Sequence, residues 1–177
     1  MLESISIKNL AIVESLNIDF NKKMNVITGE TGAGKSIIVK AINLIYGARA
    51  DISWIRQGAN KAEVNAVFIT TYNKNLNTFL NNQDIDIAQE CLLRRIITAD
   101  GRSRCYINGV PVSLAIIKEA GYYLMDIHGQ NESYLLLQPQ RQRVILDNFA
   151  QINSELKELN SIVKEFHNLK NDIQNIK

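Results

Sequence analysis

Residues 24–36 read Met24-Asn25-Val26-Ile27-Thr28-Gly29-Glu30-Thr31-Gly32-Ala33-Gly34-Lys35-Ser36. The last eight fit G-x-x-x-x-G-K-[ST] at every fixed position, the pattern of a phosphate-binding loop. Glycines let the backbone curl so that successive N–H groups point inward at phosphate oxygens, with no Cβ in the way. A helix starting near Lys35 adds its positive amino-terminal end. In such a loop the lysine ammonium reaches the β- and γ-phosphates and the Ser36 hydroxyl is a ligand for Mg2+. ATP is therefore expected on Gly29, Glu30, Thr31, Gly32, Ala33, Gly34, Lys35 and Ser36. The plain alternative is a glycine-rich turn with an incidental lysine. The flanks weigh against it, because Met24 to Thr28 reads as an apolar strand and the residues after Ser36 as an apolar helix.

Working outward, Ile37, Ile38, Ala41, Leu44 and Ile45 recur at three and four, and Gly47 stands where such a helix would stop. Before the loop, Ile5 and Ile7, then Leu16, Ile18 and Phe20, alternate with polar residues. A period of two predicts two half-buried strands joined around Lys8 to Ala11. After the helix, Lys61 to Thr70 has strand alternation with Ala62, Val64, Ala66 and Phe68 on one face, and Asn73 to Leu80 suits a short helix. Glu90 to Thr98 and Ser103 to Asn108 read as a hairpin over Ala99-Asp100-Gly101-Arg102, with a second turn at Asn108-Gly109. Ser113 suits the cap of a helix reaching about Tyr122, Tyr123 to Ile127 reads as another buried strand, and Pro139 suits a first helical turn.

The last stretch differs in kind. Ile152, Leu156, Leu159, Val163, Phe166 and Ile173 are spaced by four, three, four, three and seven, with Lys170 interrupting the stripe. Glu, Lys, Asn and Gln fill most other positions, and neither Gly nor Pro occurs there. Two readings fit: a surface helix on its own domain, or the first arm of a coiled coil.

Composition narrows the class. At 177 residues, 46% apolar and 21% charged, the chain is long enough for one globular domain with a core. A net charge of +2 permits nucleic-acid contact without arguing for it. Cys91 and Cys105 form no CxxC or Cys/His cluster and are expected to be free, buried thiols. MLESISIKNL lacks a basic region followed by an apolar stretch, and no run approaches the length of a membrane span. The expectation is a cytoplasmic protein with no membrane partner. Arg94, Arg95, Arg102 and Arg104 gather on the expected hairpin and are the candidates for contact with DNA phosphates.

A phosphate loop holds a nucleotide without hydrolysing it. Hydrolysis needs a carboxylate at a strand end to hold Mg2+ and a group to position water. Tyr122-Tyr123-Leu124-Met125-Asp126 has the apolar-then-Asp form of that strand, and with Asp126 in the role the chain is a self-contained NTPase or small-molecule kinase. The residues that follow, Ile127-His128-Gly129-Gln130-Asn131-Glu132, offer another reading, since the Gln130 carbonyl oxygen suits Mg2+ and the γ-phosphate. No guanine-specificity [NT]KxD motif occurs, because Leu169-Lys170-Asn171-Asp172 lacks its first residue.

The Gln130 segment, the loop and the terminal heptads together resemble the ATPase heads of SMC-like proteins, among them those of bacterial DNA repair. The likeness also rests on residues 5–14, 25–36, Gly47-Ala48-Arg49-Ala50-Asp51, Gly101-Arg102-Ser103-Arg104 and Ile107-Asn108-Gly109. It implies an α/β P-loop NTPase of ABC/SMC type, with a mixed sheet around the loop helix and a coiled-coil helix at the carboxyl end. Residues 1–150 then form the amino-terminal lobe of the head, and residues 151–177 the start of the arm. It makes Gln130 a Q-loop residue that shares Mg2+ with Ser36, and leaves the Walker B carboxylates and signature motif to a carboxyl-terminal lobe. It also implies a second head joined through ATP, DNA or DNA ends as partner in double-strand-break repair, and a nucleoid-associated setting. By this likeness the isolated chain binds ATP and hardly hydrolyses it.

Overall fold

The structure is a computed structural model and describes residues 1–29, 34–71, 73–86, 89–125, 142–143, 146–147, 149–150 and 152–176. The chain packs as two units, Met1–Asp126 and Ile127–Lys177.

The first unit holds a six-stranded sheet of β1 (Leu2–Leu10), β2 (Val13–Asp19), β3 (Lys61–Ile69), β4 (Glu90–Thr98), β5 (Ser103–Ile107) and β6 (Val110–Val112), in the order β2-β1-β3-β4-β5-β6. Strand alternation does what period two predicts. Ile5 and Ile7, Ala62 to Phe68 at even numbers, then Cys91, Leu93, Ile97, Cys105 and Ile107 are buried on one face. Helix α1 (Lys35–Ile45) packs on that face across β1, β3 and β4. Burying Ile37, Ile38, Leu44 and Ile45 stabilises this packing by about 2 kcal/mol per side chain. Helix α3 (Leu114–Leu124) lies against β5, and α2 (Lys74–Asn81) against α3. Both begin as the sequence predicts: the Asn73 Oδ1 accepts from the Leu76 N–H at 3.1 Å, and the Ser113 Oγ from the Ile116 N–H at 3.3 Å.

Three expectations are corrected. Met24 to Thr28 forms no strand: Met24, Val26 and Ile27 are 88%, 69% and 44% exposed, and this run pairs with no strand of the sheet. Apolar composition favours a strand only where a ladder partner exists. Without that strand every ladder among the described residues is antiparallel, so the sheet expected to be mixed is antiparallel here. Tyr123 and Leu124 belong to the last turn of α3, not to a new strand. The helical stripe of Ile117, Ala120 and Gly121 continues into them, the Phe79 and Tyr123 rings meet at 5.6 Å, and the Asn73 side-chain amide donates to the Tyr123 carbonyl. Met125 is extended, and Asp126 to Ile127 and the helix expected at Pro139 lie outside the described residues.

Strand β6 was not expected. It follows a two-residue turn in which Asn108 and Gly109 both have positive φ (49° and 84°), the conformation that twists a hairpin correctly. Pro111 is tolerated because β6 is an edge strand.

In the second unit, the terminal heptads form helix α4 (Asn153–Ile176), 24 residues or about 36 Å long. Leu159, Val163, Phe166 and Ile173 remain 41–62% exposed along it. Among the described residues no helix is long and apolar enough to cross a membrane.

Candidate nucleotide site

The approach to the loop is tied down by one side chain. Asn25 accepts from the Asn21 N–H through Oδ1 and donates through Nδ2 to the carbonyls of Asn21 and Lys23, each at 2.9 Å. The loop then reaches Gly29, and residues Glu30, Thr31, Gly32 and Ala33 lie outside the described residues.

On the far side Gly34 caps α1, with φ −123° and ψ −46°. Its carbonyl accepts from the Ile37 and Ile38 N–H groups at 3.2 and 3.3 Å. No side chain caps this end, and the first turn carries no acidic residue. A helix start ordinarily uses a Ser, Thr, Asp or Asn side chain for its unpaired N–H groups, and an acidic residue against its dipole. Among the described residues no side chain compensates the positive end. Lys35, half-buried, folds back so that Nζ donates to the Gly29 carbonyl at 2.6 Å, bridging the two ends of the loop. Ser36 is exposed in the first turn, and a Cβ built on Gly29 or Gly34 meets nothing within 4 Å. An ammonium, a helix start with no side-chain cap among the described residues and an exposed hydroxyl are groups whose chemistry fits a phosphate chain and its metal ion.

The opposite end of α1 is closed. After Tyr46 the Gly47 N–H donates to the Leu44 carbonyl at 3.1 Å and the Ala48 N–H to that of Asn43 at 2.9 Å, a Schellman motif with Gly47 at φ 81°. The Tyr46 ring lies against α3, where a Cβ on Gly121 would come within 2.9 Å of it, and its hydroxyl donates to the Met125 carbonyl.

Arg95 completes this end. It is 2% exposed, and its guanidinium donates to the Leu44 carbonyl at 3.1 Å, the Ala48 carbonyl at 3.3 Å and the Ser103 hydroxyl at 2.7 Å. Burial lowers its pKa, with Cys105 opposing, yet a guanidinium stays charged at neutral pH. It therefore faces the negative end of α1 as a cation.

The four hairpin arginines do not form one surface. Arg95 points to the helix side of the sheet and is unavailable to a phosphate backbone. Period two already implied this, since Arg95 alternates in step with Cys91, Leu93 and Ile97. Arg94 lies on the outer face, paired with Glu63 at 2.9 Å and over the Tyr106 ring at 5.6 Å. Arg102 pairs with Asp100 at 3.2 Å at the hairpin tip, and Arg104 is exposed on β5. Arg56 pairs with Glu14 at 3.3 Å. Cys91 and Cys105 are free and buried, and burial pushes the Cys91 thiol up to about 12. Asp126, His128 and Gln130 lie outside the described residues.

The chain matches the AAA domain family (AAA_23) over residues 4–177. It is 46% identical over 150 residues to the DNA repair protein RecN of Vibrio cholerae, covering 85% of this chain and 27% of that protein. To RecN of Bacillus subtilis it is 41% identical over 160 residues, covering 89% and 28%. The chain thus spans under a third of the length of these curated relatives. Its fold is that of the Smc head domain with an extended coiled coil from Pyrococcus furiosus, with a TM-score of 0.70 at 22% identity over 97% of this chain and 47% of that one. The Smc head with coiled coil and joint from Pyrococcus yayanosii gives the same TM-score of 0.70 and covers 36% of that chain. The chain therefore belongs to the AAA domain family, as a RecN-like member with the fold of an SMC head.

Proposed function

We propose that this chain is the ATP-holding half of a RecN-like head acting in DNA double-strand-break repair. The observation that carries the reading is the amino end of α1, where a loop of matching sequence ends in a helix start capped by glycine, without a side-chain cap, with Lys35 beside it. In this reading the backbone from Gly29 to Ser36 cradles the phosphates, Lys35 neutralises them, and Ser36 and Gln130 hold Mg2+. Lys35 leaves the Gly29 carbonyl to do so. The exposed Met24, Val26 and Ile27 suit a neighbouring lobe of the same head that supplies the hydrolytic carboxylates, and the exposed stripe of α4 suits a second arm. A second head closing over ATP, and the setting at the nucleoid, rest on the likeness to RecN and SMC heads. DNA contact falls to the exposed Arg104 and Arg102, the latter paired with Asp100 at the hairpin tip, while Arg94 is engaged by Glu63.

The test is calorimetric titration of ATP into the chain with and without Mg2+. Saturable binding, tightened by Mg2+, is expected; Ser36→Ala and Gln130→Ala each remove part of that tightening while leaving Mg2+-free binding in place. Absence of saturable binding, or tightening indifferent to both substitutions, contradicts the reading.

A further inference from the structure

We propose that Arg95 is a positioning residue for nucleotide binding: its guanidinium fixes the setting of α1 on the sheet, and so the placement of Lys35 and Ser36 at the helix's other end. The inference rests on the phosphate-loop reading above.

Aliphatic packing under α1 is nondirectional, so Ile37, Ile38, Ala41, Leu44 and Ile45 hold the helix down without dictating its rotation or axial register. A guanidinium is directional. Its planar fork offers donors at fixed angles, and those of Arg95 are divided between two elements. Nε is held from behind by Ser103, the first residue of β5, while the two terminal nitrogens grip carbonyls of Leu44 and Ala48 on either side of the helix end. The hairpin β4–β5 thus reaches through the core to the helix that ends the phosphate loop. An 11-residue helix is about 16 Å long and stiff, so a shift at Leu44 is transmitted to Lys35. Burying a lone guanidinium is costly, and among the described residues no carboxylate pairs with it. The helix-end carbonyls are its counter-charge.

Arg95→Lys keeps the charge and loses the fork. Ser103→Ala removes only the rear acceptor, and Leu80→Val lowers stability through a fully buried residue of α2, away from α1. Binding of a fluorescent ATP analogue to the full chain is measured well below each variant's melting temperature, beside hydrogen exchange at the Ile37 and Ile38 amides. Arg95→Lys weakens binding about fivefold and Ser103→Ala about twofold, as for loss of one or part of a hydrogen bond. Both speed exchange at Ile37 and Ile38, while Leu80→Val lowers the melting temperature and leaves affinity unchanged. If Arg95→Lys does not fold, Ser103→Ala alone decides. Wild-type affinity and exchange in the folded arginine and serine variants, or equal weakening by Leu80→Val, overturns the proposal. Should the unmodified chain bind no nucleotide, the function reading fails, and exchange at the two amides judges the positioning of α1 by itself.

Discussion

At its carboxyl end α1 is closed by Gly47, Ala48, Tyr46 and a buried arginine, whereas at its amino end it has a glycine cap, no side-chain acceptor among the described residues and a lysine reaching back to Gly29. One helix thus has a saturated end and an unsaturated one. Orphan helix groups are satisfied by side chains, by water, by tightened terminal turns or by a ligand. In the proposed reading the amino end takes the ligand, and the end filled from the core holds the helix in place for it.

The largest expected effect separates the ends by affinity. Lys35→Ala lowers ATP affinity by about two orders of magnitude, as for loss of a charge-assisted contact to phosphate, with the melting temperature nearly unchanged. Unchanged affinity in titration calorimetry would break the contrast. Next comes Gly121→Ala at the closed end. Its Cβ would sit 2.9 Å from the Tyr46 ring, and overpacking there costs about 2 kcal/mol in urea denaturation. A paired glycine test sharpens the comparison further. Gly47→Ala meets Lys118 Cβ at 3.0 Å with φ at +81° and costs about 1–2 kcal/mol. Gly34→Ala, with open space and negative φ, leaves stability within about 0.5 kcal/mol but weakens ATP binding by placing a methyl beside the phosphates. If both glycines cost equal stability, the open end is not open.

The smallest effect lies away from both ends, on the outer face of the sheet. Burial pushes the Glu63 carboxyl up, but Arg94, Asn65 and Lys61 outweigh it and hold its pKa below the ordinary value of 4.5. A depressed folded pKa gives stability that is present above the unfolded value and lost as pH falls through the folded one. Glu63→Gln should remove about 0.5 kcal/mol of that acid dependence, read from urea curves at neutral and acid pH, and leave ATP binding alone. A change in affinity would link the outer face to the site.

Much of this was legible in residue order. The span of α1 with its Gly47 stop, the β4–β5 hairpin and the capped starts of α2 and α3 carry local chemistry that fixes them: glycines, caps and alternation. What failed depends on neighbours. Met24 to Thr28 has strand composition, but a strand exists only with a partner for its backbone groups, and none is paired with it here. Tyr123 and Leu124 are apolar enough for either element, and the continuing stripe of α3 with the Asn73 bond decided for helix. Arg95 has the residue type of a surface cation, but its parity with Leu93 and Ile97 places it inward. Tyr46 carries no signal in sequence, because its role arises only where α1 meets Gly121 and Met125.

We propose that this chain holds ATP and does not turn it over by itself. This is tested most directly by steady-state ATP turnover of the chain alone and mixed with a separately expressed carboxyl-terminal remainder of a RecN-like protein. ATP binding without appreciable turnover is expected for the chain alone, with turnover in the mixture and loss of that turnover with Lys35→Ala. Turnover by the chain alone that disappears with Asp126→Ala would contradict it and make the chain a self-contained NTPase.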